Sequence, residues 1–314
     1  MDIHSVNQRY AKLRERIERR EVIILDGAIG SEMLRRGLTW ESHKVESEPA
    51  AIRSIHADYI RAGADVISTN TFQLARRSYL NHFADRDHMR HIGANGLEKR
   101  APALIREGVA RAREARDQAR RPQVCIAGAM TTLDWCFRPD QAPSPRDMRA
   151  EYRETIGAFK KAGVDLMLFE TFNSSREARV ALEAAREAGV PAWVGFVCDW
   201  KGRLLNGETM TRVRKGLRGV EPDVLLFNCA PVPDVTLALG ELAKVYGHPA
   251  GAYAHVGRFD PPDWMFTDEY PPEKYLAAAS EWVARGAQVV GGCCGTTPMH
   301  IEALKQGLPK NLLA

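Results

Sequence analysis

Short, continuously apolar runs recur along this 314-residue chain, and each is followed by a polar or glycine-rich turn and then by a helix-like stretch. The eight runs are VIIL (22–25), DVIST (65–69), VCIAGA (124–129), DLMLFE (165–170), AWVGFV (192–197), DVLLFN (223–228), AGAY (250–253) and AQVVGG (287–292). A run that is apolar throughout, rather than alternating, is typical of a strand buried on both faces of a parallel sheet. Between the runs, residues 49–61 and 176–188 carry helical patterns, and Gly189 stands where a helix is expected to end.

Eight strands that alternate with helices predict an α/β fold, a (β/α)₈ TIM-like barrel. An open, doubly wound sheet is the alternative, but it would be expected to carry a nucleotide-binding glycine fingerprint, and GAIG (27–30) is not G-x-G-x-x-G. Residues 1–20 are charged and amphipathic, which predicts an N-terminal helix that plugs the bottom of the barrel. Long loops follow strand two (70–123) and strand three (130–150). We therefore expect a single barrel domain over residues 1–314.

The composition excludes several classes of protein. Apolar residues make up 45% of the chain and charged residues 27%, so a large core is expected and disorder is not. A formal net charge of +4 is too small a surplus to indicate a nucleic-acid partner. The densest basic run, Arg100 to Arg121, is interleaved with acidic residues, which predicts the solvent-facing side of a helix. No run of about 18 apolar residues predicts a membrane span, and the N-terminus lacks an apolar signal core, so a cytoplasmic location is expected.

Chemistry in a barrel belongs to the carboxyl ends of its strands. Three of the six cysteines, Cys229, Cys293 and Cys294, follow strands six and eight, whose ends open onto one rim. Three thiolates with an open fourth position are typical of a catalytic zinc site. Burial of these cysteines as small hydrophobes is an alternative. A bridge between Cys293 and Cys294 is disfavoured, because neighbouring Cα atoms are only about 3.8 Å apart.

Five segments resemble the homocysteine S-methyltransferase family: DGAIGSEML (26–34), ADVISTNTFQ (64–73), DLMLFETF (165–172), FNCAP (227–231) and GGCCGTTPMHI (291–301). The resemblance runs from about residue 20 to residue 302 and implies a zinc-dependent barrel of the kind shared with betaine–homocysteine methyltransferase and cobalamin-dependent methionine synthase. It implies that Cys229, Cys293 and Cys294 bind Zn²⁺ and that the homocysteine sulfur is the fourth ligand.

The same resemblance implies a place for the amino acid. Glu170 matches the glutamate that holds the homocysteine amino group, and Asp26 matches an aspartate beside the amino acid. The backbone N–H groups of Gly27 and Ala28 would face its carboxylate. Two structural interpretations compete with these roles, namely Asp26 as a helix N-cap and Glu170 as the first-turn glutamate of a helix.

The sequence departs from the family pattern in segments that bear on the methyl donor. AGAMTTLDW (127–135) replaces the usual turn after strand three, and YAHVG (253–257) puts His255 at a position where the family has Asn. The chain ends at Ala314 soon after the GGCCGT motif, so neither a cobalamin or folate module nor a betaine-type C-terminal extension is expected. The expected donor is a small sulfonium such as S-methylmethionine, with betaine or another onium compound as the alternative. Aromatic faces attract such cations, and the candidates in rim loops are Trp40, Phe72, Trp135, Phe137, Trp264 and Phe266.

Two other functions are alternatives for the same residues. A zinc hydrolase would be expected to use His and Asp ligands, and no two histidines form an H-x-H pair. A homocysteine- or zinc-binding protein without catalysis is the remaining alternative. His255 and His300 need not be catalytic, because the donor departs as a neutral molecule and requires no general acid. Cys125, Cys136 and Cys198 are predicted to be dispensable.

Overall fold

A computed structural model describes residues 3–38, 44–74, 97–260 and 263–312. The strands in these residues are β1 (Ile23–Ile24), β2 (Val66–Ser68), β3 (Cys125–Met130), β4 (Leu166–Phe172), β5 (Ala192–Phe196), β6 (Val224–Pro231), β7 (Ala250–His255), β8 (Arg258–Asp260), β9 (Asp263–Met265) and β10 (Ala287–Val290). The helices are α1 (Ile3–Glu18), α2 (Ile29–Arg35), α3 (Lys44–Ser47), α4 (Pro49–Ala62), α5 (Leu97–Gln118), α6 (Pro145–Ala162), α7 (Ser175–Ala188), α8 (Met210–Leu217), α9 (Val232–Ala243), α10 (Pro272–Ala284) and α11 (Pro298–Gly307).

Eight of the strands form one parallel sheet in the order β1-β10-β7-β6-β5-β4-β3-β2. Its two edge strands meet through a parallel bridge between Leu25 and Val66 and through the hydrogen bond from the Asp26 N–H to the Val66 carbonyl, at 3.0 Å. The sheet therefore closes into the predicted barrel, and each of the eight apolar runs overlaps one of its strands. The helix predicted over residues 176–188 is also confirmed, and it ends at Gly189 in the left-handed conformation.

The N-terminal helix α1 plugs the bottom of the barrel, as predicted. Tyr10, Leu13 and Ile17 lie on one face of this helix and pack into the same apolar cluster as the inward residues of the strands. A second and larger cluster lies between the barrel wall and the outer helices. The barrel interior is therefore a filled core at its lower end, and this leaves the carboxyl ends of the strands as the open rim.

Polar contacts fix the plug at the strand starts. Gln288 in β10 donates to the Ile17 carbonyl at 2.6 Å. Three further contacts join α1 to aspartates that directly precede alternate strands: Arg16 to Asp65 at 3.0 Å, Arg9 to Asp165 at 2.9 Å and Tyr10 to Asp223 at 2.5 Å. The aspartates that begin three of the apolar runs therefore join the starts of the strands to α1 at the bottom of the barrel.

The structure corrects the prediction for the basic run on α5. Arg106 is exposed, as expected, but Arg116 is only 5% exposed and lies 3.6 Å from the buried carboxylate of Asp165. Arg113 is half-buried and donates to the Ala162 carbonyl at 2.6 Å. These two arginines pack α5 against the bottom of the barrel, a tertiary role that the charge pattern of the run does not reveal.

A short antiparallel hairpin, β8–β9, was not predicted. It follows β7 directly and pairs Arg258 with Met265. It is therefore an addition to the rim rather than a part of the barrel wall. Among the described helices, none is both long enough and apolar enough to cross a membrane.

Candidate metal centre and substrate-binding rim

The three cysteines that the sequence singles out meet at the rim. Cys229 lies near the end of β6, and Cys293 and Cys294 follow β10. Only β7 separates these two strands in the sheet. The three Sγ atoms lie within 4.8 Å of one another, and all three residues are half-buried. The geometry is that of a preformed cluster of sulfur ligands.

Glycines let the loop after β10 pack closely against its surroundings. A Cβ on Gly292 would lie 2.2 Å from the Thr296 Oγ1, and a Cβ on Gly295 would lie 1.7 Å from the Val256 carbonyl oxygen. Gly295 also has a φ of +84°, which favours glycine. A side chain at either position would therefore push the two cysteines out of place.

Hydrogen bonds fix the same loop to the end of β7. The Cys293 N–H donates to the Ala254 carbonyl at 3.0 Å, and the Val256 N–H donates to the Cys294 carbonyl at 2.8 Å. The Thr296 hydroxyl donates to the Cys293 carbonyl at 2.7 Å. The backbone of both cysteines is thus held independently of any ligand.

Cys229 reaches the cluster through an unusual backbone conformation. Its φ is +53°, and the register of β6 against β7 shifts between Asn228 and Pro231. Left-handed conformations in residues other than glycine cost on the order of 1–3 kcal/mol and are common at functional sites. The irregularity turns the end of β6 and brings the Cys229 sulfur to the other two.

The thiols influence one another's ionisation. Hydrogen bonds from the Cys229 and Cys293 thiols to the Cys294 sulfur lower the pKa of Cys294 well below its usual value. Hydrogen bonds with Cys293 and Cys294 raise the pKa of Cys229. Three sulfurs this close together repel one another when they are ionised, so a nearby cation is needed for all three to be thiolates. They are suited to a metal ion, which replaces the protons.

Glu170 lies in β4 and not at the start of a helix, so the competing structural interpretation of this residue is wrong. Its carboxylate accepts a hydrogen bond from the Tyr253 hydroxyl at 3.3 Å. Burial raises the pKa of Glu170 well above its ordinary value, and the negative charges of Cys293 and Asp26 raise it further. Glu170 therefore lies in the electrostatic field of the cysteine cluster, in a position that would favour a cationic partner.

Asp26 follows β1 and is almost completely buried. It is not an N-cap, because the residue that caps α2 is Ala28. Its carboxylate accepts hydrogen bonds from the Ser68 N–H at 2.8 Å and from the Ser68 hydroxyl at 3.1 Å. Burial raises the pKa of Asp26 to about 8, although the bonds from Ser68 oppose the shift. Its backbone carbonyl accepts from the Gly292 N–H at 3.0 Å, which joins Asp26 to the cysteine loop.

The segment Gly27–Ala28 is held between α4 and the cysteine loop. The Tyr59 hydroxyl donates to the Ala28 carbonyl at 2.9 Å, and the Ala28 N–H donates to the Thr296 hydroxyl at 3.4 Å. A Cβ on Gly27 would lie 2.8 Å from Tyr59. That these two N–H groups bind a substrate carboxylate stays a prediction.

Some aromatic candidates for the donor pocket lie on neighbouring segments. The carbonyl of Phe72 accepts a hydrogen bond from the Thr131 N–H at 2.9 Å, which brings Phe72 beside the loop that carries Trp135 and Phe137. Phe72 and Trp135 are half-buried, whereas Phe137 is 45% exposed. Phe72 and Trp135 are therefore the stronger candidates of the three.

Phe266 already has a cation on its ring face, because the guanidinium carbon of Arg35 lies 4.5 Å from its ring centre. This contact leaves Phe266 a weaker candidate. Trp40 and the side chain of Trp264 lie outside the described residues.

The loop that departs from the family pattern is firmly held. The Leu133 N–H and the Tyr152 hydroxyl both donate to the buried carboxylate of Glu177, at 2.9 and 2.8 Å. The Asn173 side chain donates to the Cys136 carbonyl at 3.0 Å. A loop fixed in this way presents a defined surface to the rim.

The remaining cysteines lie in different surroundings. Cys125 is in the barrel interior and Cys198 is in the outer core. Cys136 is closer to the site than the sequence indicated: burial raises its pKa to about 12, and the charges of Cys293 and Glu170 contribute to the shift. Whether these three cysteines are dispensable stays a prediction.

The two histidines named from the sequence differ in setting. His300 caps α11 through Thr297, and its other ring nitrogen contacts the Tyr270 carbonyl at 3.0 Å, which is a structural role. His255 is hydrogen-bonded to the backbone of Cys229, and burial lowers its pKa. His255 therefore lies beside the metal-ligand candidates.

The sequence assigned no role to Tyr253, Thr296 or Asn228, although all three stand in motifs quoted above. They make hydrogen bonds to Glu170, Cys293 and Thr171, respectively. Their position within those motifs was the available indication, but only the structure shows which residue each one contacts.

A model of the homocysteine S-methyltransferase family matches residues 23–308. The homocysteine S-methyltransferase of Escherichia coli (strain K12) is 29% identical over 317 residues, which cover 93% of this chain and 97% of that protein. The S-methylmethionine–homocysteine S-methyltransferase BHMT2 of Rattus norvegicus is 27% identical, with 94% of this chain and 80% of that protein covered.

A solved structure with the same fold is the homocysteine methyltransferase MmuM from Escherichia coli in its metallated form. It matches with a TM-score of 0.74 and 26% sequence identity, over 93% of this chain and 98% of that one. The likeness extends along nearly the whole of both chains.

Proposed function

Because the chain belongs to the homocysteine S-methyltransferase family and is a methyltransferase that converts homocysteine to methionine, we propose which of its groups bind the metal, the acceptor and the donor. The observation that carries the proposal is the convergence of three cysteine sulfurs within 4.8 Å at the open rim of the barrel. Asp26, which is buried, and Glu170, which is half-buried, accompany this cluster, and neither carboxylate forms an ion pair with Arg or Lys among the described residues.

The metal is Zn²⁺, and Cys229, Cys293 and Cys294 are its protein ligands. Sulfur ligands around a tetrahedral zinc ion, with bonds of about 2.3 Å, lie about 3.8 Å apart. Sulfurs that lie within 4.8 Å of one another fit this arrangement with small movements. Thiolates also select zinc over the harder ions that prefer oxygen. Three ligands leave the fourth position for the substrate.

Homocysteine binds with its sulfur toward the cysteine cluster and its amino group on Glu170. The ammonium group would give Glu170 the positive partner that its carboxylate lacks. The same positive charge would favour the ionised form of Asp26, whose pKa burial raises to about 8. The N–H groups of Gly27 and Ala28 would face the substrate carboxylate, and the Ala28 N–H would exchange its long hydrogen bond with Thr296 for one with the substrate. The whole acceptor is thus held by residues that β1, β4, β6 and β10 supply.

The zinc ion, when bound, supplies the acidity that keeps the homocysteine sulfur a thiolate at neutral pH. Glu170 and the backbone N–H groups orient the amino acid, so that its sulfur meets the methyl group in line with the bond that breaks. The sulfur–methyl bond forms while the bond from methyl to the donor's onium atom breaks, and the electron pair stays with the donor. The donor leaves neutral, so no side chain has to supply a proton.

The donor is a small sulfonium compound of the S-methylmethionine type. The aromatic side chains of Phe72 and Trp135, on two segments joined by a backbone hydrogen bond, would provide faces for its positive charge. The rat relative named after S-methylmethionine supports this choice. Betaine is the second candidate, on the same cation chemistry. We also expect residues 1–314 to act as one domain in the cytoplasm.

The test is the rate of methionine formation from L-homocysteine with S-methylmethionine, S-adenosylmethionine and betaine, each supplied separately, on protein whose zinc content has been measured. We expect about one zinc ion per chain and the highest rate with S-methylmethionine. Activity that requires methylcobalamin or methyltetrahydrofolate would contradict the proposed donor. Full activity in metal-free protein would contradict the proposed zinc.

A further inference from the structure

Asn228 makes a two-point contact that spans a strand. It lies in β6 and is completely buried. Its Oδ1 accepts a hydrogen bond from the Thr171 N–H at 2.9 Å, and its Nδ2 donates to the Thr171 Oγ1 at 2.8 Å. Thr171 lies in β4, and β5 runs between β4 and β6 in the sheet. The Asn228 side chain therefore extends across β5 and makes both of its hydrogen bonds with Thr171.

Gly195 makes this reach possible. It occupies β5 between the two partners, and a Cβ on Gly195 would lie 2.7 Å from the Asn228 Oδ1. The same Cβ would lie 2.7 Å from the Tyr253 hydroxyl, which donates to Glu170. Real Cβ atoms do not approach other atoms so closely, so any side chain at position 195 would displace both Asn228 and Tyr253.

Thr171, the residue to which Asn228 is hydrogen-bonded, has an unfavourable backbone conformation. Thr171 has a φ of +60°, which is a genuine outlier for a β-branched residue. The register of β4 against β5 shifts at the same point, between Phe169 and Phe172. Such conformations persist where the surroundings hold them in place. The two hydrogen bonds that join the Asn228 amide to the N–H and the hydroxyl of Thr171 are such a support.

Thr171 directly follows Glu170, so its conformation sets the direction in which the end of β4 presents that carboxylate. We propose that Asn228 is a positioning residue for homocysteine: it locks Thr171 in the left-handed conformation and so holds Glu170 ready for the substrate amino group. This inference rests on the role proposed above for Glu170. Asn228 also precedes the metal-ligand candidate Cys229 and therefore joins the amino-acid end of the site to its sulfur end.

Glycine at position 171 provides a direct test of this route. Glycine adopts a positive φ without steric cost. In N228A, Thr171 loses both contacts and should relax toward an ordinary strand conformation, which moves Glu170. In the double variant N228A/T171G, residue 171 keeps access to the left-handed conformation without Asn228. If Asn228 acts through Thr171, the second substitution should restore much of what the first one removes.

The experiment measures the dissociation constant of L-homocysteine by calorimetry on zinc-loaded protein, without donor, and the KM and kcat for homocysteine in the methyl-transfer assay. The proteins are wild type, E170Q, N228A, T171G, N228A/T171G and N206A, an exposed asparagine that serves as the matched control. We expect N228A to raise the dissociation constant about tenfold, and N206A to leave it unchanged. KM should rise by a similar factor while kcat changes much less, and the double variant should recover most of the affinity.

The outcomes separate this inference from the function on which it rests. If E170Q weakens homocysteine binding and N228A does not, Glu170 has its proposed role and Asn228 is not its positioning residue. If E170Q itself binds homocysteine normally, the proposed role of Glu170 and the inference fail together. If N228A weakens binding but N228A/T171G shows no recovery, or if N228A loses its zinc, then Asn228 acts by another route and the inference is wrong.

Discussion

The acidic side chains at the two ends of the barrel differ in whether they have positively charged partners. At the bottom, Asp165 is paired with Arg9 at 2.9 Å and lies 3.6 Å from Arg116, and Asp65 is paired with Arg16. At the rim, Asp26 and Glu170 have no ion pair with Arg or Lys among the described residues. The charges at the bottom are balanced by the protein itself, whereas those at the rim are not.

The pKa values differ between the two ends in the charges that oppose burial. Hydrogen bonding to Arg16 lowers the pKa of Glu21 near the plug. Burial raises the pKa of Asp165, but the positive charges of Arg9 and Arg116 oppose this shift. At the rim, burial raises the pKa of Asp26 to about 8 and that of Glu170 well above its usual value. Buried carboxylates with raised pKa values are typical of functional sites. The difference agrees with the proposed function, in which the rim receives cations from outside, namely a metal ion and an ammonium group, and the bottom needs none.

The largest expected effect comes from removing a sulfur at the rim. Cys229→Ser, Cys293→Ser and Cys294→Ser should each lose the bound zinc, from about one ion per chain, together with methyl transfer, because a three-sulfur site cannot spare a ligand. Zinc is measured by a chromogenic chelator after denaturation, and methionine by chromatography. Cys125→Ala and Cys198→Ala are the matched controls and should keep both. A triple Cys→Ser variant with full activity would refute the proposed metal site.

The bottom of the barrel should respond in stability and not in binding. Asp165→Ala removes the acceptor for Arg9 and for the Ile126 N–H, the latter at 2.8 Å, and leaves buried positive charge behind. We expect a loss of about 3–5 kcal/mol in the free energy of unfolding, measured in urea, because one partner of a buried ion pair is left alone.

An exposed pair gives the control for this prediction. Asp140→Ala breaks an ion pair with Arg138 on the surface and should leave the free energy of unfolding nearly unchanged, because solvent screens exposed pairs. The folded fraction of Asp165→Ala should bind zinc and homocysteine as the wild type does. Impaired binding in that fraction would mean that the two ends of the barrel are coupled, which would break the comparison.

At the rim, Glu170→Gln should weaken homocysteine binding and leave zinc in place. The change removes a charge-assisted hydrogen bond to the ammonium group, worth about 1.5–3 kcal/mol, or roughly 10- to 150-fold in the dissociation constant. Asp26→Asn should act in the same direction. Glu187→Gln, at an exposed glutamate paired with Arg153, is the control. Unchanged affinity in both rim variants would mean that the amino group binds elsewhere.

The sequence predicted the barrel because its strands are buried on both faces and therefore stand out as continuous apolar runs. It also predicted the cysteine cluster, because strand ends of a barrel converge whatever their separation in the chain. It did not reveal the contacts that cross the fold. These contacts join residues that are far apart in the sequence, and neither charge pattern nor spacing encodes them. Examples are the ion pairs of Asp165, the burial of Arg116 and the hydrogen bonds between Asn228 and Thr171.

The smallest expected effect concerns His56, a buried group that belongs to neither end. It lies in α4, it is completely buried, and its ring nitrogens have no hydrogen-bond partner among the described residues. Burial lowers the pKa of His56 to about 4 from 6.5, so between these values the unfolded chain binds more protons than the folded protein. The free energy of unfolding should therefore fall as the pH falls, by about 2 kcal/mol at pH 5 from this residue alone.

The variant His56→Leu separates unpaired burial from ligand binding. It should reduce the loss of stability between pH 7 and pH 5 by about 2 kcal/mol, measured by urea unfolding at each pH. His248→Leu, at an exposed histidine, should leave that loss unchanged. Because no substrate cation is expected at His56, the affinity for homocysteine should stay at the wild-type value. The contradicting outcome is a loss of homocysteine affinity in His56→Leu as large as the loss in Glu170→Gln. An unpaired buried group would then not mark the binding site, and the contrast between the two ends of the barrel would say nothing about function.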